Sequence, residues 1–177
     1  MENWQSGDVN AFETLFRQYE RLVFRTAYLI TSNRETAEDI LQEVFIQVWR
    51  FRTTYDPNKG KITTWLHRIT VNECIRKKPK KAACISIEQK GIDLPEIKHH
   101  SMPEEAAITR LEYNRLIEAM KALDTKYRSV LVLRYFNDLS YKEIADALKM
   151  PLGTVKSRLN HSLKYLKQRM APGEAAA

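Results

Sequence analysis

Apolar residues along this chain recur at steps of three and four, the spacing that lays one face of an α-helix on a core. The first such run covers Val9 to Ile30, with Phe12, Leu15, Phe16, Tyr19, Leu22, Val23, Thr26, Ala27 and Ile30 in phase. Asp8 or Asn10 is placed to cap it. After a Thr31-Ser32-Asn33 turn, a second run from Arg34 to Phe51 turns Ala37, Ile40, Leu41, Val44, Phe45 and Val48 inward. Tyr55-Asp56-Pro57-Asn58-Lys59-Gly60 has the chemistry of a loop. A third run starts at about Lys61, with Ile62, Leu66, Ile69 and either Val71 or Ile75 facing in.

The period fails from Pro79 to Ser101, which reads as a linker. Pro103 followed by Glu104 and Glu105 then opens a new helix, because proline suits the first turn and carboxylates favour the helix N-terminus. Its apolar positions are Ala107, Ile108, Leu111, Leu116, Ile117, Met120 and Leu123, after which Asp124 can cap a helix over TKYRSVLVLRYF. CISIE is the one short strand candidate. The pattern predicts an all-α chain of two small helical domains, residues 8–78 and 102–170, joined by a flexible linker over 79–101.

The last stretch, Leu139 to Met170, predicts two helices and a tight turn. Ser140 and Glu143 have capping-box spacing, and Ile144, Ala145 and Leu148 share a face. Lys149 to Gly153 breaks the period, and Thr154 is placed to cap the second helix. Lys149 stands where such turns favour glycine, and a left-handed conformation there would cost roughly 1 kcal/mol. Val155, Leu159, Leu163 and Leu166 form the expected buried stripe. Ser157, Asn160, His161 and Lys164 fall opposite it, with Lys156 and Arg158 on the flanks. That is the layout of a helix-turn-helix with a recognition helix for a DNA major groove. An ordinary basic amphipathic hairpin has the same periodicity.

Charge sharpens the picture. The chain of 177 residues carries a formal net charge of +7, which suits a polyanionic partner. Within it the second helix shows an acidic outer edge of Glu35, Glu38, Asp39, Gln42 and Glu43 ending at Trp49. This edge is either a solvated face or a docking face for a basic or coiled-coil protein, where complementary charge fixes orientation. The third helix mixes Trp65, His67, Arg68, Asn72, Arg76 and Lys77, continuing to Lys78, Lys80 and Lys81. Single-stranded nucleic acid needs such a mixture, since unstacked bases restack on rings while cations follow the backbone. Trp65 could equally belong to the core.

Little in the chain favours an enzyme. No Gly-rich phosphate loop, metal-ligand cluster or triad-like grouping is present, and the His99-His100 pair lacks a third ligand at useful spacing. The two cysteines, Cys74 and Cys84, lack metal spacing and read as reduced thiols. No apolar run approaches the roughly 20 residues of a membrane span, and the N-terminus lacks the apolar core of a signal peptide. No cofactor, no metal and no membrane insertion are expected, and the location expected is cytoplasmic. A dimeric DNA-binding regulator would need a dimerisation or ligand domain in place of the acidic and aromatic-basic helices. A recombinase-like enzyme would need a carboxylate cluster or nucleophile.

Three stretches carry a resemblance to a known family. AEDILQEVFIQVW is similar to the core-binding helix of bacterial RNA polymerase sigma factors of the extracytoplasmic-function (ECF) type. TWLHRITVN resembles their −10 recognition and melting helix, and LVLRYFNDLSYKEIADALKMPLGTVKSRL their −35-binding region. The stretches occur in the family's order and spacing. The resemblance implies an alternative sigma factor without catalysis of its own, directing core RNA polymerase to promoters. Asp39, Gln42, Glu43, Phe45 and Trp49 would dock on the clamp coiled coil of the largest polymerase subunit, and the polymerase flap is implied as a separate partner of the chain. Tyr55, Asp56, Asn58, Lys59 and Lys61 would hold a base flipped from the −10 element. Trp65, Arg68, Asn72, Arg76 and Lys77 would line the separated strand. Ser140, Thr154, Lys156, Ser157, Arg158, Asn160, His161 and Lys164 would read or clamp duplex −35 DNA.

The resemblance further implies a linker threading the polymerase channels and an anti-sigma factor that holds the free protein inactive, in some cases near the membrane. The chain departs from the family's habit at several positions. Ile62 replaces a common Phe, His67 a frequent Tyr, His161 a common Arg, and Leu123-Asp124 a frequent Leu-Pro.

Overall fold

A computed structural model describes residues 4–77 and 103–171, and for 103–110 the backbone alone. Seven α-helices make up the described residues, with a short 3-10 turn at Arg52–Thr54 and no strand among them. The candidate strand CISIE, the linker, Cys84 and the His99-His100 pair lie outside the described residues.

The N-terminal half is α1 (Val9–Thr31), α2 (Arg34–Arg50) and α3 (Ile62–Arg76). Asp8 starts α1, its carboxylate accepting from the amides of Asn10 at 2.9 Å and Ala11 at 3.3 Å. Asn33 starts α2 by accepting from the Thr36 amide at 2.7 Å. The three helices close over Val23, Ala27, Ile30, Ile40, Val44, Val48 and Leu66. Phe45 belongs to this core, 4% exposed, edge-on to Phe12 and tilted against Phe16. Its assignment to the polymerase-docking face is therefore corrected, and apolar periodicity is the reason: it continues the stripe of Leu41, Val44 and Val48.

The C-terminal half is α4 (Pro103–Lys121), α5 (Thr125–Tyr135), α6 (Tyr141–Leu148) and α7 (Leu152–Met170). Asp124 caps α5 through the Lys126 amide at 2.9 Å, as its position predicts. The Ser140–Glu143 capping box on α6 is complete in both directions. Lys149 ends α6 in the left-handed region, at φ 48°.

Two expectations for α7 are corrected. The helix begins at Leu152, after Pro151, whose ring pre-sets the dihedral that leads into a first turn. Thr154 is therefore inside the helix and caps nothing, its amide bonded to the Pro151 carbonyl at 2.9 Å. The buried stripe is Val155, Leu159, Ser162 and Leu166, while Leu163 is 40% exposed. Ser162 is small enough for α5 to approach, and its hydroxyl donates to the carbonyls of Tyr127 at 3.2 Å and Arg158 at 2.8 Å.

The two halves pack on each other, α5 against α1 and both α5 and α6 against α3. Arg128 is the centre of that junction and is 6% exposed. Its guanidinium donates to the Ile30 carbonyl at 2.7 Å and the Ser32 hydroxyl at 2.8 Å in the N-terminal half. On its own side it donates to the carbonyls of Lys121 at 2.6 Å and Leu123 at 2.7 Å. The Ile30 and Lys121 carbonyls are open C-terminal groups of α1 and α4, which need donors from outside their helices, and the Leu123 carbonyl lies in the turn after α4. Burial pushes the Arg128 pKa down to about 10, against a raising influence from Asp124, so the group stays charged at neutral pH.

Candidate nucleic-acid interface

The buried stripe of α7 fixes what its other side shows. Lys156, Ser157, Asn160, His161 and Lys164 are exposed, and Arg158 lies half-buried beside them. Ser157 turns its hydroxyl back to the Thr154 carbonyl at 3.0 Å. The His161 ring is stacked on Tyr127 of α5, centroids 4.3 Å apart and planes 25° apart. Lys126 stands 5.0 Å from the same Tyr127 ring. A groove therefore runs between the start of α5 and α7, lined by Lys126, Tyr127, Thr154, Ser157, Arg158 and His161. Lys126 and Tyr127 were not legible as site residues, because α5 reads as a core helix and its first turn reaches this face through the fold. Ser140 sits apart from the groove, its oxygen engaged in the α6 cap.

A second polar surface runs along α3 and the loop before it. Lys61, Trp65, Arg68 and Asn72 follow one another at helical steps. Thr54, Tyr55, Asp56, Lys59 and Gly60 complete a cavity of about 190 Å³ with the first three. Asp56 is held below the usual carboxylate range by the Asn58 amide first and then by Lys59. Asn72 is exposed further along the helix. Trp65 is 9% exposed, its ring packed against Trp4 and Tyr55. It walls the cavity instead of standing open to solvent, so of its two sequence readings the core one holds in this arrangement. Asp146 and Ala147 of α6 close the cavity from the other half.

The acidic edge of α2 and the basic end of α3 meet. Lys77 pairs with Asp39 at 3.2 Å and Arg76 with Glu43 at 3.6 Å, and Arg76 also bonds Glu73 on its own helix at 3.0 Å. Two cations assigned to the strand are thus engaged by carboxylates, two of which are assigned to the polymerase. The inter-helix pairs lie at the surface, where water and salt screen them, so another charged partner can displace them. Gln42 is free-facing on the same edge, Trp49 is half-buried against Phe12 at 4.9 Å, and Ile46 is 52% exposed. Ile46 was missed, although it follows Gln42 and Glu43 at helical spacing.

His67 is 2% exposed, facing the other half rather than solvent. The Asn137 amide nitrogen lies 2.9 and 3.0 Å from its ring nitrogens and donates to the Thr26 hydroxyl at 2.8 Å. Burial pushes the His67 pKa down to about 4. The unfolded chain, with an ordinary value near 6.5, therefore binds a proton that the folded chain refuses. This stabilisation is complete above about pH 6.5 and is lost as pH falls towards 4, at most roughly 3 kcal/mol. His67→Gln should flatten the fall in urea midpoint between pH 6.5 and 4.5 relative to wild type. Equal slopes would contradict the assignment.

Among the described residues no group of three or more His, Cys, Asp or Glu could hold a metal ion. Cys74 is buried, and burial pushes its thiol up to about 12, so it stays protonated. No described helix is long and apolar enough to cross a membrane.

The structure thus places a capped helix-turn-helix with a basic outer face beside a helical half carrying an acidic edge and an aromatic-walled cavity. Comparison with known proteins identifies the class. The Sigma-70 region 2 family matches residues 15–83 and the Sigma-70 region 4 family residues 113–166. The ECF RNA polymerase sigma factor SigW of Bacillus subtilis is 30% identical, over 94% of this chain and 92% of its own length. SigE of Mycolicibacterium smegmatis is 32% identical, over 91% of this chain and 62% of its own. In fold, the chain is similar to the sigma factor RpoE of Bartonella quintana solved with the anti-sigma factor NepR. That match has a TM-score of 0.68 and 18% identity, covering 94% of this chain and 100% of the other. CnrH, solved with the cytosolic domain of CnrY, matches with a TM-score of 0.63 and 22% identity over 93% and 90%. The chain belongs to the ECF RNA polymerase sigma factors of the sigma-70 family. It is an alternative sigma factor, directing transcription from specific promoters.

Proposed function

We propose that this chain divides promoter recognition between its halves and that the halves separate to do so. The observation that carries this reading is the contact of α6 with α3. As packed here, α7 lies on α6 and α6 on α3, three helix diameters or about 30 Å across. Two promoter elements centred at −35 and −10 are about 25 base pairs apart, roughly 85 Å of duplex at 3.4 Å per step. One packed body cannot touch both. Residues 78–102, fully extended, reach roughly 90 Å, enough for the halves to part and remain tethered.

In the parted state, α7 enters the −35 major groove, where Lys156, Ser157, Arg158, Asn160, His161 and Lys164 meet bases and phosphates. Tyr55 to Lys61 hold a flipped −10 base, and Arg68 and Asn72 follow the separated strand, compensating for lost stacking. The acidic edge at Asp39, Gln42 and Glu43, extended by Ile46 and Trp49, docks on a basic surface of core RNA polymerase at its clamp coiled coil, and the flap is a separate polymerase contact of the chain. The chain acts by binding alone, in the cytoplasm with the polymerase. RpoE and CnrH were each solved with a protein partner, which supports an anti-sigma factor for this chain.

A crossed pair of variants tests the division. Asp39→Lys with Glu43→Lys should abolish co-elution with core enzyme and leave the circular dichroism spectrum unchanged. Lys156→Ala and Arg158→Ala should co-elute normally but weaken −35 duplex binding. A lost phosphate contact lowers the salt slope by about one, whereas a lost base contact relaxes one position. Normal co-elution of the charge reversals, or unchanged DNA binding by both alanine variants, would contradict the corresponding assignment.

A further inference from the structure

The N-terminal tip, ahead of the first residue matched by the region 2 family, is built into the back of the −10 loop. Trp4 is 3% exposed although it precedes every helix. Its ring lies 6.1 Å from Tyr55 and 6.2 Å from Trp65, and those two are 5.5 Å apart, so the three indole and phenol rings form one cluster. The side-chain amide of Gln5 donates to the carbonyls of Arg52 at 3.0 Å and Tyr55 at 2.7 Å. Gly7 turns the chain at φ 98°, its amide bonding the Trp4 carbonyl at 3.2 Å. A side chain would be strained there, and Arg52 lies directly against the turn. Arg52 is itself fixed over the Trp49 ring at 4.7 Å, with a bond to the Trp49 carbonyl at 2.9 Å.

These contacts hold Tyr55 at three points: its ring by Trp4 and Trp65, its carbonyl by Gln5, and its hydroxyl by the Gly60 carbonyl at 3.1 Å. Tyr55 and Gly60 stand at opposite ends of the loop that lines the cavity. We infer that residues 4–7 are a strap that sets the shape of the −10 base pocket, with Trp4 and Gln5 as positioning residues for base recognition. The inference rests on the Tyr55–Lys61 loop being the base-holding loop. A loop ordered before DNA arrives spares the complex the entropy of ordering it, so the strap acts on affinity for the base rather than on the chemistry of contact. Neither residue touches the cavity itself.

The test uses the full chain with core polymerase and fork DNA whose −10 strand is already single. The strand carries either its normal base or an abasic site at the flipped position, and the readout is the ratio of the two affinities. In wild type the base should be favoured. Gln5→Ala should lower that ratio about tenfold, the weight of two neutral hydrogen bonds. Trp4→Ala should lower it similarly, and Trp4→Phe, which keeps a ring, should restore most of it. Binding to −35 duplex should not change in Gln5→Ala. A wild-type ratio that persists in Gln5→Ala and Trp4→Ala overturns the strap and leaves the loop reading intact. Equal affinities for base and abasic site in wild type overturn the loop reading, and the strap with it. A parallel loss of −35 binding in Gln5→Ala would make residues 4–7 general scaffold and overturn the inference.

Discussion

Arg128→Ala should lower the thermal midpoint of this protein by on the order of 10 °C. The substitution takes away one guanidinium and orphans the carbonyls of Ile30 and Lys121, at the ends of α1 and α4, and of Leu123 in the turn between α4 and α5. Each buried unpaired carbonyl costs about 1–3 kcal/mol, and partial relaxation brings the sum to roughly 3–5 kcal/mol. For a chain of this length that corresponds to the stated shift. Arg128→Lys keeps the charge but cannot fork towards both halves, so it should fall between wild type and Ala. Calorimetry decides the matter, and equal midpoints for all three proteins would show that the junction does not depend on Arg128. The two partners across the junction, Ile30 and Ser32, predict a second effect: the halves should part more readily in either variant.

Caps and short-range spacing were legible because they need nothing beyond the local chain. Asp8, Asn33, Asp124 and the Ser140–Glu143 box all involve partners within three residues. Apolar stripes were legible to within one step. Leu163 and Ser162 are neighbours on α7, and the choice between them was made by α5, whose close approach favours the smaller side chain and gives it a carbonyl to bond. Where resemblance and periodicity disagreed over Phe45, periodicity prevailed, since a ring in phase with Leu41, Val44 and Val48 is driven into the core.

The junction between the halves was not legible. Arg128 looks like any cation in TKYRSVLVLRYF, and its burial arises because the ends of α1 and α4 leave carbonyls facing it. His67 and Asn137 are 70 residues apart and carry no shared signal. Trp4 precedes every periodic segment, so nothing in its surroundings marks it as core. The ion pairs Asp39–Lys77 and Glu43–Arg76 belong to the same class, because both partners looked like solvated charges assigned to different macromolecules.

The packed halves make the central claim testable by locking them. Thr54 and Asp146 are exposed residues on opposite walls of the cavity between α6 and the −10 loop. In a Cys84→Ser background, Thr54→Cys and Asp146→Cys can be bridged by a short bis-methanethiosulfonate, which releases two sulfinates as it forms two reductant-cleavable disulfides and leaves buried Cys74 unmodified. Bridging holds α6 on α3, so the spread of roughly 85 Å between promoter elements is out of reach. The α7 face remains outside the bridge, and −35 duplex binding by the chain should survive. With core enzyme and a promoter present, permanganate reactivity of −10 thymines reports opening. The account predicts reactivity at the duplex background for the bridged protein and at the wild-type level before bridging and after cleavage of the bridge. Wild-type reactivity from the bridged protein would show that the packed arrangement opens promoters as it stands, and would contradict the account.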